Sequence, residues 1–498
     1  MKLKFLYKKA TILGAVILSA SAIIFMGCNK QLDINQSPNS PGLNQGNPSL
    51  VFPVAVLATT GKVGGDLALV GGMWSQFFTQ AALSSQYKDI DSYNLANNES
   101  YDENSYDIMF TAGLKNYQYV IDKSKASGDW MYFLMGTVMK AYTTEVLVDL
   151  YDQIPYSQAL QGGNILNPKF DDGYSIYTSL LSSIDTALSK SLSGGTNSKP
   201  GTQDLIFKGD QDKWIRFANT LKLKMYLRMI NAHPDVATAG ITALYAKSAT
   251  FLNVDASVTN FTDAPGLDNP LYEQNIRGLN TVTNLRASTT FVSWLSANND
   301  PRATSFFNAA NPISVNQGDY ASSNPLYQTA AVLNQSPTDP VEFISLPESY
   351  FLQAEADVRY FGGIKAQALY NQGVLAAFSQ VGLDGSSFVA AGGKYVFPTA
   401  GTLDQKIEAI IVQKGASCVY GCHEIEAFFE KNRTGYPHSS SVYSTSPNYI
   451  PGQLVVSFNT VLLAGQVPKR FVFPYDETST NTNSPKPVPI TTKVWWGL

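Results

Sequence analysis

The stretch Trp130–Tyr151 (WMYFLMGTVMKAYTTEVLVDLY) restricts this chain more than any other. It contains no proline and is apolar almost all round a helical wheel. Its length would cross a bilayer, which takes about 20 residues, but Lys140, Glu145 and Asp149 lie inside it and argue against a span. A helix that is hydrophobic on every side and is not in lipid must be surrounded by protein. The expectation is therefore a mainly α fold with this helix at its centre. Tyr174–Lys190, Asp212–Asn231, Pro347–Tyr360 and Lys365–Gln380 also keep helical spacing. The last two, joined by Phe361-Gly362-Gly363-Ile364, read as a tetratricopeptide-like hairpin. The glycines supply its stop, and Ala366, Ala368, Ala376 and Ala377 permit close packing. Segments 86–107, 232–345 and 381–403 are polar and punctuated by Gly, Asn and Pro, and so read as long loops. Loops of that length in a compact domain usually carry function.

The N-terminus sets the compartment. Lys2, Lys4, Lys8 and Lys9 precede an apolar run, Ala10–Met26, that ends at Gly27-Cys28. A basic head, a short apolar stretch and a small residue make a secretory signal. The junction resembles a lipobox, although Phe25 and Met26 stand where Leu and Ser or Ala are usual. That resemblance implies removal of residues 1–27 and lipidation of Cys28. Residues 28–50, rich in Asn, Gln, Ser and Pro, then read as a flexible tether. Residues 51–498 read as a single α-rich domain. Loss of the four signal lysines moves the formal charge from −4 to −8. An acidic chain suits neither nucleic acid nor anionic lipid, so membrane association is expected through the lipid anchor only.

Charged residues are 15% of the chain, well below an average domain's share of about 25%, while aromatics are 12%. Such a surface suits neutral polar ligands. Cys418 and Cys422 are an even pair in an oxidising compartment, so a local disulfide is expected between them.

Several strings, in order, are similar to motifs of the SusD-like (SusD/RagB) outer-membrane lipoproteins. They are Asp149-Leu150-Tyr151-Asp152-Gln153-Ile154-Pro155-Tyr156-Ser157, Asp204–Asp210 with Lys213-Trp214-Ile215-Arg216-Phe217-Ala218-Asn219, Asp300-Pro301-Arg302, and Glu348-Ser349-Tyr350-Phe351-Leu352-Gln353-Ala354-Glu355. Glu408–Pro437 and Arg470, Pro474, Glu477 and Asn481 complete the series. Asp152 and Gln153 replace the family's Gly-Asp, and Phe428 replaces its Trp. The resemblance implies tetratricopeptide-like helix pairs with long irregular loops. It also implies an outer-membrane, outward-facing protein partnered with a SusC-like TonB-dependent transporter. The ligand would be an oligosaccharide or a peptide, bound without catalysis.

Most of these strings read as scaffold. Trp214, Phe217, Leu221 and Leu223 have core spacing, and Glu348 and Glu355 near Arg359 read as buried ion-pair formers. Enzyme signatures are scarce. His423-Glu424 has Ala427 where a zinc protease needs His, and Gly392-Gly393-Lys394 lacks the phosphate-loop spacing. Neither a cofactor nor a transition-metal site is expected. The loop 86–107 interleaves Tyr87, Tyr93, Tyr101 and Tyr106 with Asp89, Asp91, Asn94, Asn97 and Asn98. Aromatic faces flanked by amides and carboxylates suit sugar rings; the same oxygens could hold a structural Ca²⁺. A second candidate is Gly266–Tyr272 with Trp294. The expected ligand contacts are therefore Tyr87, Asn94, Tyr101, Asn269, Tyr272 and Trp294. The alternatives are a surface glycoside hydrolase or peptidase, and a non-transport adhesive protein.

Overall fold

A computed structural model describes residues 46–95 and 99–498, the side chains of 99–103 apart. Cys28 and the signal lie outside the described residues. Pro48–Leu498 forms one compact unit. Its main helices are α1 (Pro48–Gly61), α2 (Ala68–Trp74), α3 (Lys115–Ser127), α4 (Trp130–Tyr151), α5 (Gly173–Leu188), α6 (Gln211–Arg228), α7 (Pro234–Ala246), α8 (Thr289–Ala297), α9 (Leu346–Tyr360), α10 (Ala366–Gln380), α11 (Leu403–Ser417) and α12 (Glu424–Thr434).

The central helix is where its composition requires. Every residue of α4 except Trp130 and Lys140 is buried, with α3, α5 and α6 packed around it. Asp129 caps its first turn by accepting from the Tyr132 N–H. Helices α9 and α10 form the expected antiparallel pair, and α11 packs beside α9. Pro48–Trp74 is long and apolar enough to span a membrane by composition, yet most of it is covered by the protein body. At Gly71 an added Cβ would lie 2.3 Å from the Ile425 backbone, so α2 and α12 touch main chain to main chain.

Glu145 and Asp149, which excluded a membrane span, face α6. Lys224 lies 3.4 Å from Glu145 and 2.9 Å from Glu426, while Arg228 meets Asp149 at 3.0 Å and Glu426 and Glu430 at 2.9 Å. Lys414 meets Glu348, Glu426 and Glu430 at 2.9–3.2 Å. Arg433 pairs with Glu355, which also takes Arg359. Much of the family strings is thus scaffold, and Glu348 and Glu355 are buried pair-formers, as the sequence suggested.

Among the described residues, three two-stranded antiparallel ladders trim this body: β1 (Phe78–Gln80) with β5 (Leu285–Ala287), β2 (Gln153–Pro155) with β3 (Phe170–Asp172), and β4 (Ala256–Val258) with β6 (Val341–Ile344). The β1–β5 pair places α8 directly behind Phe77.

Three sequence expectations are corrected. The supposed loop 86–107 is helical at Lys88–Asp91 and Glu99–Ile108, and 232–345 contains α7 and α8. The first two are short and polar and lack the periodic apolar stripe that reveals a longer helix, whereas α7 and α8 are apolar helices set between stretches punctuated by Gly, Asn and Pro. Cys418 and Cys422 are free and buried. The Cys418 thiol donates back to Lys414 O within its own helix, whereas Cys422 Sγ faces the Asn269 amide, so the two are held by different partners.

Candidate functional site

A cleft of about 400 Å³ opens where the main hydrophobic core meets a second cluster built on α9–α11. Trp294 packs against both. Ser288 caps α8 by accepting from the Thr290 N–H, and the helical spacing then places Phe291 and Trp294 on one face. Phe291 is buried, its ring 5.0 Å from Phe77. Trp294 is half-buried and nearly parallel to two neighbours: Phe291 at 5.9 Å and 10°, Tyr395 at 5.5 Å and 9°. Offset parallel rings of this kind are a favoured aromatic geometry.

Tyr395 arrives from the loop after α10. It follows Gly392-Gly393, and the positive φ of Gly392 suits the turn. Its N–H donates to Phe388 O at 2.8 Å and its hydroxyl to Asp300 Oδ2 at 2.6 Å. Burial, followed by the Asp300 charge, pushes its phenol well above the ordinary range. Gly452 closes one end. An added Cβ there would sit 2.9 Å from Trp294 Cβ, and φ is +86°. The backbone can lie against the indole only because no side chain intervenes.

The opposite wall is polar. Gln405, Glu408 and Val412 come from α11, Lys431 from α12, and Tyr436, Pro437 and His438 from the segment that follows. His438 Nε2 lies 3.7 Å from Glu408 Oε1, both partly exposed. Lys431 donates to Gly435 O at 2.8 Å and to Pro437 O. Burial, with Lys469 nearby, pushes its ammonium down to about 7. The cleft therefore offers an aromatic flank facing amide, carboxylate and imidazole groups. Its two carboxylates are unlike: Glu408 is half-exposed, whereas Glu430 is committed to Arg228, Arg433 and Lys414.

Among the expected contacts whose side chains are described, only Trp294 lines this cleft. Tyr87 is buried, its N–H donating to Gln80 Oε1 at 2.6 Å, and belongs to the core. Asn269 is buried as the cap of Pro270–Tyr272 and donates to Asp339 O, so its amide is used in folding. Tyr272 is half-buried with the Arg277 guanidinium 5.6 Å over its ring. Asn94 is half-buried beyond the Lys88–Asp91 helix. Tyr101 lies on Glu99–Ile108, its side chain outside the described residues. Among the described residues no three His, Cys, Asp or Glu side chains converge as metal ligands; Asn97 and Asn98 of the oxygen-rich loop lie outside them. Tyr395, Gln405, Glu408 and Tyr436 escaped sequence reasoning. Glu408 and Tyr436 fall inside the quoted string Glu408–Pro437, and Tyr395 stands with Phe388 and Phe397 in a Gly-rich segment.

Asp91 organises the other side of the loop region. It is fully buried and accepts from Thr79 Oγ1 at 2.6 Å, Gln80 N–H at 2.9 Å and Gln317 Nε2 at 2.6 Å. Burial pushes its carboxyl up to about 6 despite those bonds.

A sequence profile of the SusD-like family, described as starch-binding and associating with the outer membrane, matches residues 69–454. No curated protein matches by sequence. Solved structures do match in fold. A chitin-binding SusD homologue from Flavobacterium johnsoniae superposes with TM-score 0.73 at 20% identity, covering 89% of this chain and 98% of its own. A SusD homologue from Bacteroides uniformis gives 0.70 at 20%, covering 90% and 99%. A SusD/RagB family protein from Bacteroides thetaiotaomicron gives 0.69 at 19%, covering 88% and 95%.

Proposed function

Because this chain belongs to the SusD-like family, we propose that it captures a neutral glycan at the cell surface, in the Trp294 cleft, and delivers it to a SusC-like TonB-dependent transporter. The observation that carries this reading is the cleft itself: a half-exposed indole held rigid by Phe291 and Tyr395, facing Gln405, Glu408 and His438. Pyranose rings have an apolar face and a belt of hydroxyls, and such a wall and rim match both. The family description and the chitin-binding relative support a glycan over a peptide. The proposal includes lipidation at Cys28, anchorage in the outer membrane and outward orientation, supported by the junction at Gly27-Cys28 and by the family description.

Binding without hydrolysis fits the carboxylates. A glycosidase needs two carboxyl groups flanking the bond. Here Glu430 is neutralised by three cations, and Glu408, the lining's other carboxylate, lies beside His438.

The test is calorimetric titration of the unlipidated chain from residue 29 with chitin oligosaccharides and malto-oligosaccharides. Trp294→Ala should weaken binding by about thirtyfold, the equivalent of roughly 2 kcal/mol for a stacked aromatic. Equal affinity in native protein and variant would remove the cleft from consideration. Shortened products in the incubation would overturn the non-catalytic reading.

A further inference from the structure

Beneath the aromatic wall lies an ion pair that does not line the cleft. Arg302 and Asp300 are both fully buried, and the guanidinium grips both carboxylate oxygens at 2.7–3.1 Å. Asp300 Oδ2 also accepts the Tyr395 hydroxyl. The Asp300 N–H donates to Leu295 O at the end of α8, and Arg302 Nη2 donates to Gln413 Oε1 on α11 at 3.3 Å. The guanidinium carbon is 4.4 Å from the Phe378 ring centre and 5.8 Å from those of Trp294 and Tyr395. One pair thus touches the helix that carries Trp294, the loop that carries Tyr395, and the helix that forms the opposite wall.

We propose that Asp300 and Arg302 are positioning residues for this cleft, holding Tyr395 parallel to Trp294 and so setting the surface that a glycan meets. The inference rests on reading the cleft as the glycan site. Its ground is the kind of support that Tyr395 has: its buried ring packs on Phe378, Phe388 and Trp294, and its hydroxyl is fixed by Asp300. The backbone hydrogen bonds along 385–401 run within the loop, such as Tyr395 N–H to Phe388 O and Gly393 N–H to Ala390 O. Side chains therefore set the register of this loop against α8. Packing on these rings supplies contact energy but sets direction less sharply than a hydrogen bond. A two-pronged charged hydrogen bond has a fixed geometry, and a phenol bonded to the same carboxylate inherits it.

Tyr395→Phe removes one hydroxyl and keeps the ring; Asp300→Asn weakens the whole anchor. Each is compared with native protein by melting temperature, by affinity for chitin oligosaccharides and malto-oligosaccharides, and by the near-ultraviolet circular dichroism of Trp294. That last signal is isolated by subtracting the spectrum of Trp294→Phe made in the same background. Tyr395→Phe should lose most of the Trp294 signal and bind about tenfold more weakly, with a melting temperature close to native. An unchanged Trp294 signal overturns the proposal, and this readout needs no ligand. So does affinity within about twofold of native while Trp294→Ala abolishes binding; positioning then fails and the site reading stands. If Trp294→Ala also binds normally, both fall together. Should Asp300→Asn not fold, Tyr395→Phe carries the comparison alone.

Discussion

Replacing Glu426 by Gln tests whether the family strings are scaffold, because it removes one charge and almost no volume. Its carboxylate meets Arg228, Lys224 and Lys414, each at 2.9 Å, with every partner buried. Burial alone would raise its pKa, but Arg228, Lys224 and Lys414 hold it well below the usual carboxylate range. Breaking a buried pair from one side costs roughly 3–5 kcal/mol, since the other charge stays behind. Three cations share this carboxylate, which argues for the upper part of that range. The cations keep Glu145, Asp149, Glu430 and Glu348 within 3.4 Å, which argues for the lower part. We therefore expect about 4 kcal/mol. Unfolding entropy of about 2.1 cal/mol/K per residue over a body this long converts that to a fall of roughly 4 °C in melting temperature. The sign with pH also follows. A carboxyl whose folded pKa is depressed contributes stability above its unfolded pKa, about 4.3, and loses it as pH falls toward the folded value. The gap between native protein and Glu426→Gln should be full at neutral pH and shrink below about pH 4. Glycan affinity should not change, because Glu426 does not line the cleft. Calorimetric unfolding of both proteins across that pH range is the assay. An unchanged melting temperature at neutral pH would refute the reasoning, and loss of glycan binding in a folded variant would show that the network reaches the site.

Gly452→Ala should lower both stability and affinity, by about 1–2 kcal/mol in stability from the positive φ alone, because its methyl would press on Trp294; normal binding would show that the segment 450–453 can shift. Asp91 has its folded pKa raised to about 6, so its contribution is full at low pH and falls as pH rises from about 4 to about 6. Asp91→Asn should remove that decline, which denaturant titrations at pH 4 and pH 7 would detect. Thiol titration of the unfolded chain from residue 29 should find both Cys418 and Cys422 reduced; a non-reduced digest containing a linked peptide would contradict the structure.

The fold was legible where physical chemistry acts over short sequence distances. An all-apolar run with three charges can only be a core helix whose charges are answered from elsewhere, and α4 is that helix, answered by Lys224 and Arg228 of α6. The hairpin 346–380 was legible because Gly362-Gly363 stops one helix and small residues let the next lie close. Helix α1 was hidden by Pro53, and the Lys88–Asp91 and Glu99–Ile108 helices by their polarity. The site was far less legible. Composition pointed to aromatics in loops, but Trp294 stands on helix α8, and Tyr87 and Asn269, in the same kind of sequence as Tyr395, are spent on packing and capping. Whether an aromatic ring faces solvent or core depends on what the rest of the chain brings to its other side. Trp294 meets Tyr395 a hundred residues away, Asp300 bonds Tyr395, and Gly452 closes over the indole from further still. Local sequence by itself determined a buried helical scaffold and the need for its charges to be paired, because periodicity and charge burial act residue by residue; the partners come from distant helices. Only the tertiary structure decided which aromatics form the cleft, because that depends on contacts between segments whose separation no local pattern encodes.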